Sequence, residues 1–233
     1  MTRDTTDDCI RGPKSADGER RVRVLKRDAL GTISLVEDAG RITILRDART
    51  APWWSRPFAI ALCAREAAAL RALDGLAGVP RLESHARGSL ERSFIPGQPM
   101  HVARPHSRAF FTSAFGLLAA LKRRGVAHND LAKEANWLCT PDGRAAIVDF
   151  QASVVTRRRG FWFRTLAYDD LRHLLKHKRT YLPDALSARE RRLLAQPSFA
   201  ARTWAALVKP PYVWITRRVL GWPERVGAAE RQR

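Results

Sequence analysis

The chain has 233 residues, of which 45% are hydrophobic and 28% are charged. This composition excludes a protein that is disordered throughout, and the length is enough to bury a core without disulfide or metal support. Lys and Arg number 42 against 23 Asp and Glu, and the resulting net charge of +19 predicts an anionic partner. Charge alone does not choose among nucleic acid, an anionic membrane surface and a phosphorylated substrate.

The excess positive charge lies mainly in the C-terminal third. Residues 151–233 carry 18 basic and 6 acidic residues (net +12), whereas residues 1–150 carry 24 and 17 (net +7). The three cysteines have no CxxC spacing and no clustered histidines, so we expect neither a disulfide framework nor structural zinc. The acidic N-terminus is unlike a signal peptide, and no apolar run approaches about 18 residues, so we expect a cytoplasmic protein.

The N-terminal half predicts strands followed by a helix. Residues 1–20 have little apolar pattern and are interpreted as a flexible tail. Three alternating runs then predict an antiparallel three-stranded meander. They centre on Val22 and Val24, Ile33 and Leu35, and Ile42 and Ile44. An alanine-rich helix over 58–73, a strand near 90–95 and a turn over 96–99 follow.

The second half predicts mainly helices around one hairpin. A helix over 107–124 ends at Gly125, and residues 125–151 predict a loop, a short strand, a Pro-Asp-Gly turn, a second strand and a loop. Helices are clearest over 168–178 and 188–194. The order predicts an α+β fold with a small antiparallel-sheet lobe over 21–97, a mostly helical lobe over 98–205 and a basic amphipathic segment over 206–233.

Asp130, Asn136 and Asp149 are the first candidates for chemistry. They carry compact oxygen donors in or beside the two short apolar strands of the predicted hairpin. Asp149, at the end of a buried strand, is placed to hold a hard cation such as Mg²⁺, with Asn136 as a neutral ligand. Asp130 would then orient or deprotonate a hydroxyl. The alternative is that all three are turn and cap residues.

Glu66 is the second unusual position, because it lies within an apolar stripe on the predicted N-terminal helix. Leu62, Leu70 and Leu73 share its face at helical spacing. A buried carboxylate without a partner is costly, so burial of Glu66 would require a cation. The alternative is an exposed carboxylate at the edge of the stripe.

The two motifs together resemble the protein-kinase-like superfamily. Residues 128–136, HNDLAKEAN, are similar to its catalytic loop, and residues 148–151, VDFQ, are similar to its metal-binding motif. The resemblance covers residues 22–170 and lacks an Ala-Pro-Glu segment and a long activation loop. What remains is similar to the compact bacterial branch that includes RIO-like kinases and lipopolysaccharide core (Kdo/heptose) kinases.

The resemblance implies a bilobal fold, ATP and Mg²⁺ or Mn²⁺ as cofactors, and a role for each motif residue. Asp130 would be the catalytic base, Lys133 the loop lysine, and Asn136 and Asp149 the metal ligands. In the family the two loop positions are five residues apart, whereas Asp130 and Asn136 are six apart, so we expect the loop to bulge or the asparagine to rotate.

The residues that the resemblance assigns to nucleotide binding depart from the family pattern. Arg46 stands where the family has lysine, and with Glu66 it would orient phosphate. Lys26 is a possible substitute for the missing lysine. Gly31 stands alone between the first two strands, where the family has a glycine-rich loop.

The expected function is an ATP-dependent phosphotransferase that acts on a hydroxyl of an anionic acceptor, such as a lipopolysaccharide core sugar. The alternatives are a RIO-like serine/threonine protein kinase, and a pseudokinase or basic binding module without transfer; nucleic-acid binding is less favoured. Tyr212, Ile215, Val219 and Trp222 share one face of a predicted C-terminal helix. That helix either packs on the protein or contacts the cytoplasmic face of the inner membrane. The oligomeric state is left open.

Overall fold

The computed structural model describes residues 20–195 and has an α+β fold. Residues 20–185 belong to one compact unit, and residues 186–195 belong to a second. The predicted tail, apart from Arg20, and the predicted segment over 206–233 lie outside the described residues. Within residues 20–195, none of the helices has the length and apolar character needed to cross a bilayer.

A five-stranded antiparallel sheet and one long helix form the N-terminal part of the first unit. The elements are β1 (Arg21–Asp28), β2 (Gly31–Asp38), β3 (Arg41–Asp47), α1 (Arg56–Ala72), β4 (Leu82–Ala86) and β5 (Ser89–Ser93). The strand order β1-β2-β3-β5-β4 contains the predicted meander. The strand predicted near 90–95 is β5, and its hairpin partner β4 was not predicted because its apolar alternation is weak.

The turn between β1 and β2 depends on a glycine. Gly31 has φ +105°, and a Cβ there would lie 2.2 Å from the backbone oxygen of Asp47. Any side chain would collide with the backbone of β3, so this glycine serves the close packing of the sheet.

The C-terminal part of the first unit contains three further helices and two small sheets. The elements are β6 (Gln98–Pro99), α2 (Met100–Ala103), α3 (Arg108–Arg123), β7 (Val126–Ala127), β8 (Trp137–Cys139), β9 (Ala145–Ile147), β10 (Val154–Val155) and α4 (Phe161–Tyr181). Short 3₁₀ helices cover Ala48–Thr50, Glu134–Asn136, Phe150–Ala152 and Pro183–Ala185. The small sheets have the orders β6-β8-β9 and β10-β7. In the second unit, α5 spans Ala188–Ala195.

Helix α3 and the hairpin are confirmed, and two other elements differ from the prediction. Ser107 caps α3 by accepting a hydrogen bond from the Phe110 amide at 3.2 Å. Residues 98–99 were predicted as part of a turn but form β6, because they pair with β8, which is distant in sequence. The helix predicted over 168–178 is the middle of α4.

One hydrophobic core joins the large sheet to the helices of the first unit. Large members of this core come from α1 and the residue after it, from β5 and α3, from the β8–β9 hairpin and the 3₁₀ helix after it, and from α4: Leu70, Leu73, Leu90, Phe110, Phe111, Trp137, Phe150 and Leu174. Leu131 and Phe150 both belong to the core, so the segment between them is anchored at both ends.

Candidate functional site

The β8–β9 hairpin brings Asn136 and Asp149 together. Trp137 is opposite Ile147 in the register, and the Val148 amide donates to the Asn136 carbonyl at 3.0 Å. Asn136 and Asp149 therefore occupy the open end of the hairpin. The other end is closed by the predicted Pro-Asp-Gly turn, in which Gly143 has φ +74°.

The catalytic-loop candidates also lie in contact with one another. Lys133 Nζ is 2.7 Å from Asp130 Oδ2, and Asn136 Nδ2 donates to the Asp130 carbonyl at 2.9 Å and to Asp130 Oδ2 at 3.1 Å. The hydrogen bond to Asp130 is the main cause of a raised Lys133 pKa, and the negative charge of Asp149 contributes to it. Hydrogen bonds thus connect Asp130, Lys133 and Asn136, and the charge of Lys133 interacts with that of Asp149.

The loop makes a local helical turn before Asn136. Residues 134–136 form a 3₁₀ helix, which shortens the path from Lys133 to Asn136. The amide of Asn136 reaches back across this turn to the Asp130 carbonyl.

Helix α4 holds the loop from the side, through residues that the sequence analysis missed. The Tyr181 hydroxyl donates to Glu134 Oε2 at 2.6 Å, and His177 Nε2 lies 2.9 Å from the Leu131 carbonyl. Burial, followed by this hydrogen bond, raises the pKa of Tyr181 to about 12. The hydroxyl therefore stays protonated as a donor at neutral pH.

Asp170 of α4 fixes the start of the loop. Its carboxylate accepts the backbone N–H groups of His128 at 2.7 Å and of Asn129 at 2.9 Å. Burial raises its pKa to about 6 against the lowering effect of these two bonds. A sequence signal existed, because Asp170 lies seven residues after Phe163 and four before Leu174 on the buried face of one helix.

The histidine of the loop connects the two motifs. His128 is buried, its Nε2 lies 3.0 Å from the Val148 carbonyl, and its ring packs edge-on against Phe150 at 4.7 Å. Burial lowers its pKa, so the ring is neutral at pH 7 and Nε2 carries the proton donated to Val148. Replacing this ring would therefore loosen the link between the loop and the hairpin.

Two backbone positions next to the cluster have left-handed conformations. Asn129 has φ +63°, and Asp149 has φ +66° and ψ +67°. Asn and Asp tolerate this region better than most residues, and such conformations concentrate at functional sites. The conformation turns the chain at Asp149 sharply out of β9.

Glu66 is fully buried and lies between two arginines, so the alternative of an exposed carboxylate is wrong. Its Oε2 is 3.2 Å from Arg46 Nε, and its Oε1 is 3.2 Å from Arg92 Nε. None of these four atoms makes an aligned hydrogen bond, so the contacts are ion pairs. The sequence analysis identified Arg46 but missed Arg92, which comes from β5.

Arg46 also connects this network to the hairpin. One of its terminal nitrogens, Nη2, lies 3.6 Å from Asp149 Oδ1. The same carboxylate oxygen accepts a hydrogen bond from Gln151 Nε2, a contact that was not predicted. Asp149 is thus held by one cation and one amide, on one of its two oxygens.

The oxygen donors that remain fit a hard cation. Hydrogen bonds described for residues 20–195 use Asn136 Nδ2 and Asp149 Oδ1, and none uses Asn136 Oδ1 or Asp149 Oδ2. One carboxylate and one amide suit Mg²⁺, which takes few protein ligands beside water and phosphate. In the same residues, no three His, Cys, Asp or Glu side chains gather as an all-protein metal site.

Two predicted nucleotide-binding residues lie apart from this cluster. Lys26 pairs with Asp28 at 2.7 Å and is largely exposed. Gly31 lies in the β1–β2 turn described above. Within the described chain, neither has a hydrogen bond or ion pair to Asp130, Asn136 or Asp149.

A polar cavity of about 460 Å³ lies elsewhere, on the sheet. Its lining includes Thr43, Glu83 and Glu91. Thr43 and Arg46 are three residues apart on one strand and point to opposite faces, so this cavity is not part of the Asp149 cluster. Glu91 is already occupied as the acceptor of the Thr43 hydroxyl at 2.6 Å.

Comparisons with known proteins do not show which family the chain belongs to. No protein-family model matches the chain, and no curated protein sequence matches it. The function must therefore be argued from the residues and their contacts.

Proposed function

We propose that the chain is a magnesium-dependent ATP phosphotransferase of the protein-kinase-like superfamily, acting in the cytoplasm on a hydroxyl of an anionic acceptor. The observation that carries the proposal is the convergence of Asp130, Lys133, Asn136 and Asp149 around the open end of one hairpin. Two separate motifs supply these residues, and the Arg46–Glu66 pair reaches the same carboxylate. Mn²⁺ would satisfy the same oxygen donors.

Asp130 is proposed as the catalytic base. Its Oδ2 is occupied by Lys133 and Asn136, so Oδ1 is the oxygen left to accept the proton of an acceptor hydroxyl. The hydroxyl oxygen forms a bond to the γ-phosphorus, and the bond from that phosphorus to the β–γ bridging oxygen breaks. ADP leaves, and the proton passes from Asp130 to solvent. Lys133 offsets negative charge on the transferred group.

The metal ligands would be Asn136 Oδ1 and Asp149 Oδ2. A divalent ion held there would neutralise charge on the donor's phosphates. Gln151 and Arg46 fix the other oxygen of Asp149, and the hydrogen bonds from Asn136 to Asp130 fix the orientation of its amide. The chain's own contacts therefore orient both ligands in advance.

Arg46 is proposed to bind the phosphates of ATP. Glu66 holds the guanidinium at Nε, and Arg92 balances the second oxygen of Glu66. Nη2 lies 3.6 Å from Asp149 Oδ1, so Nη1 is the outer nitrogen that is left for a contact with phosphate. Lys26 and Gly31 lie near the turn between β1 and β2, and they would contribute to nucleotide binding from that end of the sheet.

The acceptor class follows from charge. A chain of net charge +19 favours an anionic acceptor, and a lipopolysaccharide core sugar is the proposed example. A RIO-like serine/threonine protein kinase activity is the alternative with the same transfer chemistry. The two activities differ in whether γ-labelled ATP labels a lipopolysaccharide fraction or a protein fraction.

A pseudokinase is the second candidate, and one contact favours it. The Arg46 guanidinium lies 3.6 Å from Asp149 Oδ1, where a positive charge competes with a metal ion for the carboxylate. In this alternative the chain binds a nucleotide or another anion through its basic surface without transferring phosphate.

The decisive experiment offers γ-labelled ATP and Mg²⁺ to the purified chain with lipopolysaccharide, lipid and protein fractions. Asp130→Asn and Asp149→Asn remove the base and a metal ligand, and Asp142→Asn is the matched control because Asp142 is exposed in the β8–β9 turn. We expect transfer to fall at least about 100-fold in the first two variants and to change less than about twofold in the control. Equal turnover in all three would refute the proposal, and nucleotide binding without transfer by the unsubstituted chain would favour the pseudokinase.

A further inference from the structure

An aromatic surface lies on the outer side of α1 and on the loop before it. Trp53, Trp54 and Phe58 are 81%, 64% and 60% exposed. We call the surface formed by Trp53, Trp54, Phe58, Ala61 and Arg65 the Trp53 face. The phosphate-transfer proposal makes no use of it. Three large aromatic side chains that are this exposed and this close in sequence indicate an interaction surface.

The two tryptophans are displayed by a rigid turn. The Pro52 carbonyl accepts hydrogen bonds from the amides of Ser55 at 3.1 Å and Arg56 at 2.9 Å, which closes the turn around Trp53 and Trp54. The buried Ser55 hydroxyl donates to the Ala29 carbonyl at 2.5 Å and ties the turn to the β1–β2 connection. These bonds fix the backbone that carries the two tryptophans, which lowers the entropic cost of ordering this segment on binding.

The helical part of the face continues the apolar surface and adds positive charge. Phe58, Ala61 and Arg65 follow one another at i, i+3 and i+7, and all three are exposed. The acidic residue of α1, Glu66, is buried on the other side. Among the described residues, Arg65 forms no ion pair and is exposed, so its charge faces solvent. Arg56 does not belong to this face, because it lies two positions before Phe58 and its Nε donates to the Ala51 carbonyl at 3.1 Å.

We infer that the Trp53 face docks on an anionic lipid bilayer. Tryptophan favours the bilayer–water boundary, where its ring lies among the headgroups, and phenylalanine enters the apolar layer beneath. Arg65 extends from the same surface towards anionic headgroups, and the net charge of +19 attracts the chain to an anionic bilayer. A protein partner would have to supply an acidic group for Arg65 at one fixed place, whereas an anionic bilayer supplies such groups wherever the side chain reaches. The inference does not depend on phosphate transfer.

The test is co-sedimentation of the full chain with vesicles of phosphatidylcholine alone and of phosphatidylcholine with about 30% phosphatidylglycerol. We expect binding to the anionic vesicles only. Trp53→Ala/Trp54→Ala should lower the partition coefficient at least about tenfold, and Arg65→Gln about fivefold. Full binding by both variants would overturn the inference and assign any membrane contact to another segment.

Matched controls come from exposed residues on other helices. Val102→Ala on α2 and Arg108→Gln on α3 remove an exposed apolar side chain and an exposed charge. Both should bind within about twofold of the unsubstituted chain. Losses in the controls as large as in the test variants would also overturn the inference.

Two further measurements separate the bilayer from other occupants. In the unsubstituted chain, brominated lipids should quench tryptophan fluorescence more strongly than in Trp53→Ala/Trp54→Ala. Size-exclusion chromatography at several concentrations tests for a second copy of the chain. A dimer that the tryptophan variant dissociates, without vesicle binding by the unsubstituted chain, would assign the face to self-association and overturn the inference.

Discussion

Helices α1 and α3 have similar lengths, but only α1 buries a charged side chain and exposes a large aromatic one. Helix α3 buries Phe110 and Phe111 and exposes polar residues such as Lys122. Helix α1 buries Glu66 and exposes Phe58. The distribution in α3 is what packing alone requires, whereas in α1 the buried Glu66 needs its ion pairs with Arg46 and Arg92, and the exposed Phe58 ring gains little from folding. The difference fits the two roles proposed for α1, an arginine network that binds phosphate inside and a docking surface outside.

Replacing a phenylalanine by alanine should give the largest difference in unfolding free energy between the two helices. Phe111→Ala empties a fully buried site in α3 and should lower the free energy of unfolding by about 3–5 kcal/mol. Phe58→Ala on α1 should change it by less than about 0.5 kcal/mol, because the ring is exposed. Urea denaturation followed by circular dichroism measures both. Equal losses would contradict the described orientation of α1.

Removing the buried carboxylate of α1 should be nearly as damaging. Glu66→Ala removes the carboxylate that both Arg46 and Arg92 contact and leaves Asp149 to pair with Arg46 only, so we expect a loss of about 3–5 kcal/mol in unfolding free energy. Arg65→Ala, one position earlier and exposed, is the control and should stay within about 0.5 kcal/mol. A stable Glu66→Ala variant would show that the two arginines find other partners.

Asp170 should make stability depend on pH in a direction opposite to that of an ordinary paired carboxylate. Its pKa is raised to about 6 by burial, so the folded chain binds its proton more tightly than the unfolded chain does. The stability that it contributes is present below the unfolded pKa near 3.8 and is lost as pH rises through about 6. Between pH 7 and pH 4, the unsubstituted chain should gain on the order of 2 kcal/mol relative to Asp170→Asn. Thermal unfolding across this range tests it, and parallel curves would contradict it.

Gln151 should have the smallest effect, limited to metal affinity. Gln151→Ala removes the amide that orients Asp149 Oδ1, so the Mg²⁺ concentration for half-maximal transfer should rise about tenfold. Unfolding free energy should change by less than about 1 kcal/mol, because the residue is only half-buried. Gln98→Ala, on exposed β6, is the control. An unchanged Mg²⁺ dependence would leave Gln151 without a positioning role.

Sequence patterns predicted the elements whose formation depends on residues close together in the chain. The meander, α3 and the Pro-Asp-Gly hairpin follow from alternation, helical spacing and turn residues. The burial of Glu66 followed from its place in an apolar stripe. Two motifs in sequence were enough to predict that Asp130, Asn136 and Asp149 would be neighbours.

The parts that were missed depend on contacts between distant residues. Strand β6 exists through its pairing with β8, and Arg92 reaches Glu66 from a strand whose own pattern shows no functional signal. The hydrogen bonds from the loop to Asp170 cross about 40 residues of sequence and follow from the packing of α4. Such pairs become visible only when the elements are placed against each other.

The most direct measurement follows nucleotide binding and phosphate transfer in the same samples. Mn²⁺ bound with ATP is detected by electron paramagnetic resonance, and transfer to the labelled acceptor fraction is counted in parallel. The account predicts that Asp130→Asn retains Mn²⁺–ATP binding and loses transfer, whereas Asp149→Asn loses both and Asp142→Asn keeps both. Transfer by Asp130→Asn at the rate of the unsubstituted chain, or Mn²⁺–ATP binding unaffected by Asp149→Asn, would contradict the assignment of this hairpin as a phosphate-transfer site.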